Sequence, residues 1–108
     1  MKKVYVITCT TQASRVCEFT LSVVEWVCTS KRTANKQLDI IKDKIENGGW
    51  WSDADGNPKY GKVLSDTNMQ DNNYMGVLRD VMIESPSGIH EIFRLQEREL
   101  NSGIYLTE

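Results

Sequence analysis

Ala34, Leu38, Ile41 and Ile45 are spaced four, three and four residues apart, which sets all of them on one stripe of an α-helix. Ile40 widens that stripe. An apolar stripe this regular must be buried, so the rest of the chain has to supply a surface that receives it. The spacing predicts a helix over Lys31 to Asn47. Thr29 or Ser30 stands where a side-chain oxygen can accept from first-turn N–H groups, and Lys42 and Lys44 lie near the negative end of the macrodipole. Asn47-Gly48-Gly49 provides a left-handed stop.

The flanking segments read as strands. Lys3 to Thr10 is rich in β-branched residues and Tyr. Thr11 to Arg15 is polar and reads as a turn, and a long second strand is predicted from about Val16 to Thr29. Its apolar residues alternate as Cys17, Phe19, Leu21 and Val23, then change phase to Val24, Trp26 and Cys28. One regular strand cannot aim both sets at the same face, so a β-bulge is expected near Ser22 to Val24. After the helix, residues 49–73 are dense in turn formers and are expected to form a long loop, with a short strand at Tyr60 to Leu64. Tyr74 to Glu84 and Ile89 to Leu100 are predicted to pair as a hairpin through Ser85-Pro86-Ser87-Gly88. The second of these segments also permits a helical reading through Ile89, Ile92, Phe93, Gln96 and Leu100. Residues 101–108 are expected to fray.

The fold expected is therefore α+β, with one domain over residues 1–108. An antiparallel sheet of about four strands, in the order β-β-α-loop-β-β, carries one amphipathic helix on one face. A length of 108 residues suits a single core, and 40% hydrophobic with 26% charged residues is a globular composition. The strongest apolar run, Val23 to Cys28, is short and contains Glu25, so no membrane span is expected. The apolar stretch after Lys2 and Lys3 is too short for a signal peptide, which points to the cytoplasm. Open sheet edges favour self-association, and a homodimer is the expectation.

Catalytic and metal chemistry find little to work with. Cys9, Cys17 and Cys28 form no C-x-x-C pair and are read as buried thiols, with His90 the one histidine. His90 is expected to be an exposed turn residue, and Glu97 and Glu99 to lie in water on one strand face. Asp53-Ala54-Asp55-Gly56-Asn57 has the look of a calcium loop, but that register needs Gly and Glu where Pro58 and Leu64 stand. It reads as a turn. No catalytic residue, metal site or cofactor is predicted.

The residues singled out for ligand binding are Trp50, Trp51, Lys59, Tyr60, Lys62 and Tyr74. Aromatic faces beside ammonium groups can stack a base and hold a phosphate. Alternatively, one indole seals the core edge below the helix terminus while the other packs on the loop. Lys31, Arg32, Lys36, Lys42 and Lys44 stud the helix, yet the net charge is −2, so duplex nucleic acid is not expected as a partner. Charge is uneven: residues 1–48 carry eight Lys/Arg against five Asp/Glu, and residues 49–108 carry five against ten.

The opening Lys3-Val4-Tyr5-Val6-Ile7, the passage Cys28-Thr29-Ser30-Lys31-Arg32-Thr33-Ala34 and the closing Glu91-Ile92-Phe93-Arg94-Leu95-Gln96-Glu97-Arg98-Glu99-Leu100 resemble small uncharacterised α+β domains of phages and mobile genetic elements. The resemblance covers about half the chain, and the double Trp and its loop depart from it. It implies no particular activity. The functional expectation is a non-catalytic interaction module, such as an accessory protein engaging a host protein; alternatively, a protein that sequesters a small anionic ligand or nucleotide through its Trp-rich loop.

Overall fold

The computed structural model describes residues 2–11, 21–69 and 76–99, with residues 21–25 as backbone alone. Strands β1 (Lys3–Thr11) and β2 (Leu21–Cys28) lead into helix α1 (Lys31–Asn47), and five further strands follow. These are β3 (Trp51–Ser52), β4 (Pro58–Lys59), β5 (Lys62–Asn68), β6 (Val77–Glu84) and β7 (His90–Glu99). The fold is α+β: β2-β1-β7-β6-β5 form one antiparallel sheet, and β3 and β4 pair apart from it.

The helix forms where its pattern places it. Ser30 is the cap, its Oγ accepting from the Thr33 N–H at 3.0 Å. Gly48 N–H bonds to the Lys44 carbonyl, and Gly49 takes φ +68°, the left-handed geometry that lets the chain turn away. Ala34, Leu38, Ile41 and Ile45 are all buried. Strand register decides what they meet. Cys9, Phe93 and Val81 lie side by side across three strands, as do Trp26, Ile7 and Leu95. Cys9, Phe93, Val81, Ile7 and Leu95 belong to the core with the helix stripe, and Trp26 packs on its margin. Fully burying one large aliphatic side chain contributes about 1.5–3 kcal/mol, so this contact is the main source of stability.

The sheet has five strands where four were expected. Residues 49–73 are not a single long loop: β3, β4 and β5 lie within them, and β5 runs past the short strand expected at Tyr60 to Leu64. Its side chains are exposed along nearly its whole length, so no apolar alternation announces it. The second-strand bulge falls one residue later than expected. Ile7 pairs with Trp26 and Thr8 with Val24, leaving Glu25 as the extra residue. Two further bulges, at Leu64 and Leu78, were not anticipated. Residues 89–99 are not helical: β7 is flanked by β1, which pairs with Glu91–Glu99, and by β6, which pairs with His90–Gln96. The expected strand start at Val16 to Thr20, Cys17 and the tail at 101–108 lie outside the described residues.

An ion cluster fastens the helix flank to β5 and β6. Arg79 reaches Asp66 through Nε and Nη2 at 2.9 and 2.8 Å, Asp39 at 2.8 Å, and Asn35 Oδ1 at 3.0 Å. Lys42 binds the same Asp66 carboxylate. The Arg79 hydrogen bonds, helped by Lys42, hold the Asp66 carboxyl well below the usual range, at about 2. The ionised form is favoured in the folded chain, so the stability it contributes is present above the unfolded pKa and lost as pH falls toward 2. Asp66→Asn is expected to lower the chemical-denaturation midpoint at neutral pH. It should also flatten the decline in stability between about pH 4 and 2; acid titration followed by circular dichroism checks both.

Candidate functional site

The chain leaves the helix at Gly49 and turns at once into Trp50 and Trp51, and the two indoles take different work. Trp50 packs edge-on against Phe93, with ring centroids 6.2 Å apart and planes at 89°. It closes the core below the helix end. Trp51 also packs on the core margin, but its ring lies against Gly61. A Cβ at Gly61 would sit 2.7 Å from the indole and 2.5 Å from the Glu84 carbonyl oxygen, so only glycine permits this approach. Gly61 N–H donates to the Ile45 carbonyl at 2.9 Å, tying the β4–β5 connection to the last turn of the helix.

Between β3 and β4 the Asp53 carboxylate accepts N–H bonds from Asp55 and Asn57, both at 2.9 Å, and meets the Asn57 side chain. Those bonds, Asn57 first, lower the Asp53 pKa. This is a turn stabilised from within. No group of His, Cys, Asp or Glu suited to a metal ion occurs among the described residues.

The anchored hairpin leaves a groove against the β6–β7 turn. Ser85 Oγ accepts from the Ile89 N–H at 3.0 Å, and Gly88 N–H donates to the Ser85 carbonyl at 2.9 Å, so Ser85 to Gly88 form a closed turn. On one side of it lies a hollow of about 390 Å³, walled by Tyr60, Lys62, Glu84 and Ser87. On the other lies one of about 260 Å³, walled by Trp51, Lys59, Pro86, Ile89 and Glu91. Tyr60 and Ile89 are each about half exposed, at 50% and 46%. The groove is thus apolar on the indole side and polar on the tyrosine side.

Of the six residues singled out from the sequence, Trp51, Lys59, Tyr60 and Lys62 line these two hollows. Trp50 does not, because its ring is engaged with Phe93. Tyr74 lies outside the described residues. Sequence reasoning missed Pro86, Ile89 and Glu91. The Pro and Gly of the turn were legible, but nothing local says that this turn faces the hairpin.

His90 and the two described cysteines do not converge on a common site. His90 is half-buried at the start of β7 opposite Glu84, rather than exposed in the turn, because strand pairing begins with it. Among the described residues neither His90 nor a cysteine lines either hollow. Cys9 is buried and its thiol donates to Glu91 Oε1 at 3.2 Å, while Cys28 is half-buried. Glu97 is paired with Lys3 at 2.9 Å rather than simply solvated. Among the described residues no helix is long and apolar enough to cross a membrane.

Comparison with protein-family models, with curated proteins and with solved structures returned no match for this chain.

The division between the indoles predicts separable effects. Trp50→Ala is expected to cost about 3 kcal/mol, at the lower end for loss of a packed aromatic ring. Tyr60→Ala, at a half-exposed position, should change stability by no more than about 0.5 kcal/mol. Urea unfolding of the two variants beside the parent chain measures both.

Proposed function

We propose that this chain is a non-catalytic interaction module whose docking site is the groove between the β3–β4 hairpin and the β6–β7 turn. The observation that carries the reading is the groove's make-up. Trp51, Tyr60, Pro86 and Ile89 offer apolar contact, and Lys59, Lys62, Glu84 and Glu91 stand along its walls. Half-exposed aromatic and aliphatic side chains with a charged rim are what a partner's protruding side chains bury at low entropic cost. A protein partner fits better than a single small molecule, because both hollows are shallow and meet at the turn rather than enclosing a volume. Self-association through a sheet edge falls within the same reading. The resemblance of the Lys3–Ile7, Cys28–Ala34 and Glu91–Leu100 segments to phage and mobile-element domains favours an accessory protein that engages a host protein in the cytoplasm.

Sequestration of a nucleotide or other small anion is the second reading, and Tyr60 beside Lys62 in one hollow favours it. Against it, Trp50 is committed to the core, and Glu84 stands in the same hollow as Lys62. Among the described residues a stacked base would find one freely exposed ring, that of Tyr60.

Two measurements separate the readings. Tryptophan fluorescence and thermal shift with a panel of nucleotides are expected to show no response; a saturable response removed by Lys62→Ala would favour the anion reading instead. Selection of a displayed peptide library on the immobilised chain is expected to yield binders that Tyr60→Ala and Ile89→Ser weaken by tenfold or so each, the cost of about 1.4 kcal/mol of contact. No enriched binder, or binders indifferent to both substitutions, would remove the groove reading.

A further inference from the structure

We infer that β5 is a receiving edge: it accepts an extended segment of a partner protein as an added strand, one that alternates apolar with basic side chains. The inference deepens the reading of the chain as an interaction module and rests on it. β5 closes one end of the five-stranded sheet, and among the described residues no strand lies beyond it. An edge strand points half of its N–H and C=O groups outward, which is a template for another chain.

Three features make this edge a formed surface. First, β5 is held from behind. Asp66 is clamped by Arg79 and Lys42, and Val63 N–H is taken by Glu46 Oε2 at 2.9 Å. The Glu46 bond closes the edge at Val63 and so sets where an added strand can begin. Beyond the Leu64 bulge, Ser65, Asp66 and Thr67 pair in unbroken register with Met82, Val81 and Asp80.

Second, the face of the sheet away from the helix has a hollow of about 230 Å³ beside this edge, walled by Ser65, Thr67, Met69, Asp80, Met82 and Ile92. Two methionines and an isoleucine give it an adaptable apolar lining. Every second side chain of an added strand would point to this face, within reach of the hollow. Apolar residues suit those positions.

Third, the helix side of the edge presents carboxylates to solvent. The cations lie deeper: the Arg79 side chain is 14% exposed and that of Lys42 31%, and both are engaged with Asp66. Asp39 keeps 64% of its side chain in water although it touches Arg79, and Glu46 is exposed. A strand added to β5 would direct its remaining side chains toward this acidic flank. Lysine or arginine complements it, and acidic residues would be repelled.

The experiment uses the full chain and two synthetic peptides, one alternating valine with lysine and one alternating valine with glutamate. Backbone amide NMR and hydrogen exchange are expected to show that the lysine peptide slows exchange within residues 65–67, and that the glutamate peptide leaves them unchanged. Binding should weaken as salt is raised. Asp39→Asn combined with Glu46→Gln, both at exposed positions, should reduce affinity roughly fivefold to tenfold, as expected for two partly exposed ion pairs. Circular dichroism of that variant confirms that the helix persists. The inference is overturned if neither peptide binds, or if both bind equally. It is also overturned if the lysine peptide shifts only amides around Tyr60, Ser87 and Ile89; that last result would leave the groove reading standing and remove the edge alone.

Discussion

The seating of the helix stripe on the sheet is the contact on which everything else hangs. Ala34, Leu38, Ile41 and Ile45 meet a floor made by Ile7, Phe93, Leu95, Val81 and Ile83, all buried, with strands that come from both ends of the chain. Neither layer is stable alone in water, since each would expose the apolar surface that the other covers. The pairing of β1 with the central strand β7 brings the first and last described segments together, so the core forms only when distant parts of the chain meet. A one-residue slip in either strand would turn its apolar set away from the helix.

The groove follows from how the helix ends. Gly49 redirects the chain, Trp50 closes the core on Phe93, and the Ile45 carbonyl accepts from Gly61. With both ends of the small hairpin tied to the helix terminus, Trp51 and Tyr60 are held opposite the closed turn at Ser85 to Gly88. Gly61 is the contact point, because any side chain there would collide with the indole and with Glu84. The other flank is organised by charge. Arg79 and Lys42 converge on Asp66 and bind helix to edge strand without using apolar area. These ionic contacts are partly solvated and add little stability each, but they fix geometry.

Legibility differed sharply between segments. The helix was readable in its span, because its stripe, a cap at Thr29 or Ser30 and its glycine stop all lie within one short stretch and agree; the structure selects Ser30. The final hairpin was readable from its turn. Residues 49–73 were not, because β5 is exposed on nearly all its side chains and β3 and β4 have two residues each. Edge strands of this kind are made by pairing rather than by pattern. The candidate site was partly legible: aromatic and basic residues flagged the hairpin, yet Trp50 looks the same as Trp51 in sequence and does different work.

What the amino-acid order determined by itself is local: the span and apolar face of α1, the turns at Asp53–Asn57 and Ser85–Gly88, and the need for a sheet to receive the helix. Tertiary structure decided the fifth strand, the positions of the bulges, which indole meets Phe93, and the meeting of hairpin and turn. The physical reason is range. Helix periodicity, caps and turns are settled by atoms a few residues apart. Strand partners and groove walls are settled by contacts between segments that only folding brings side by side.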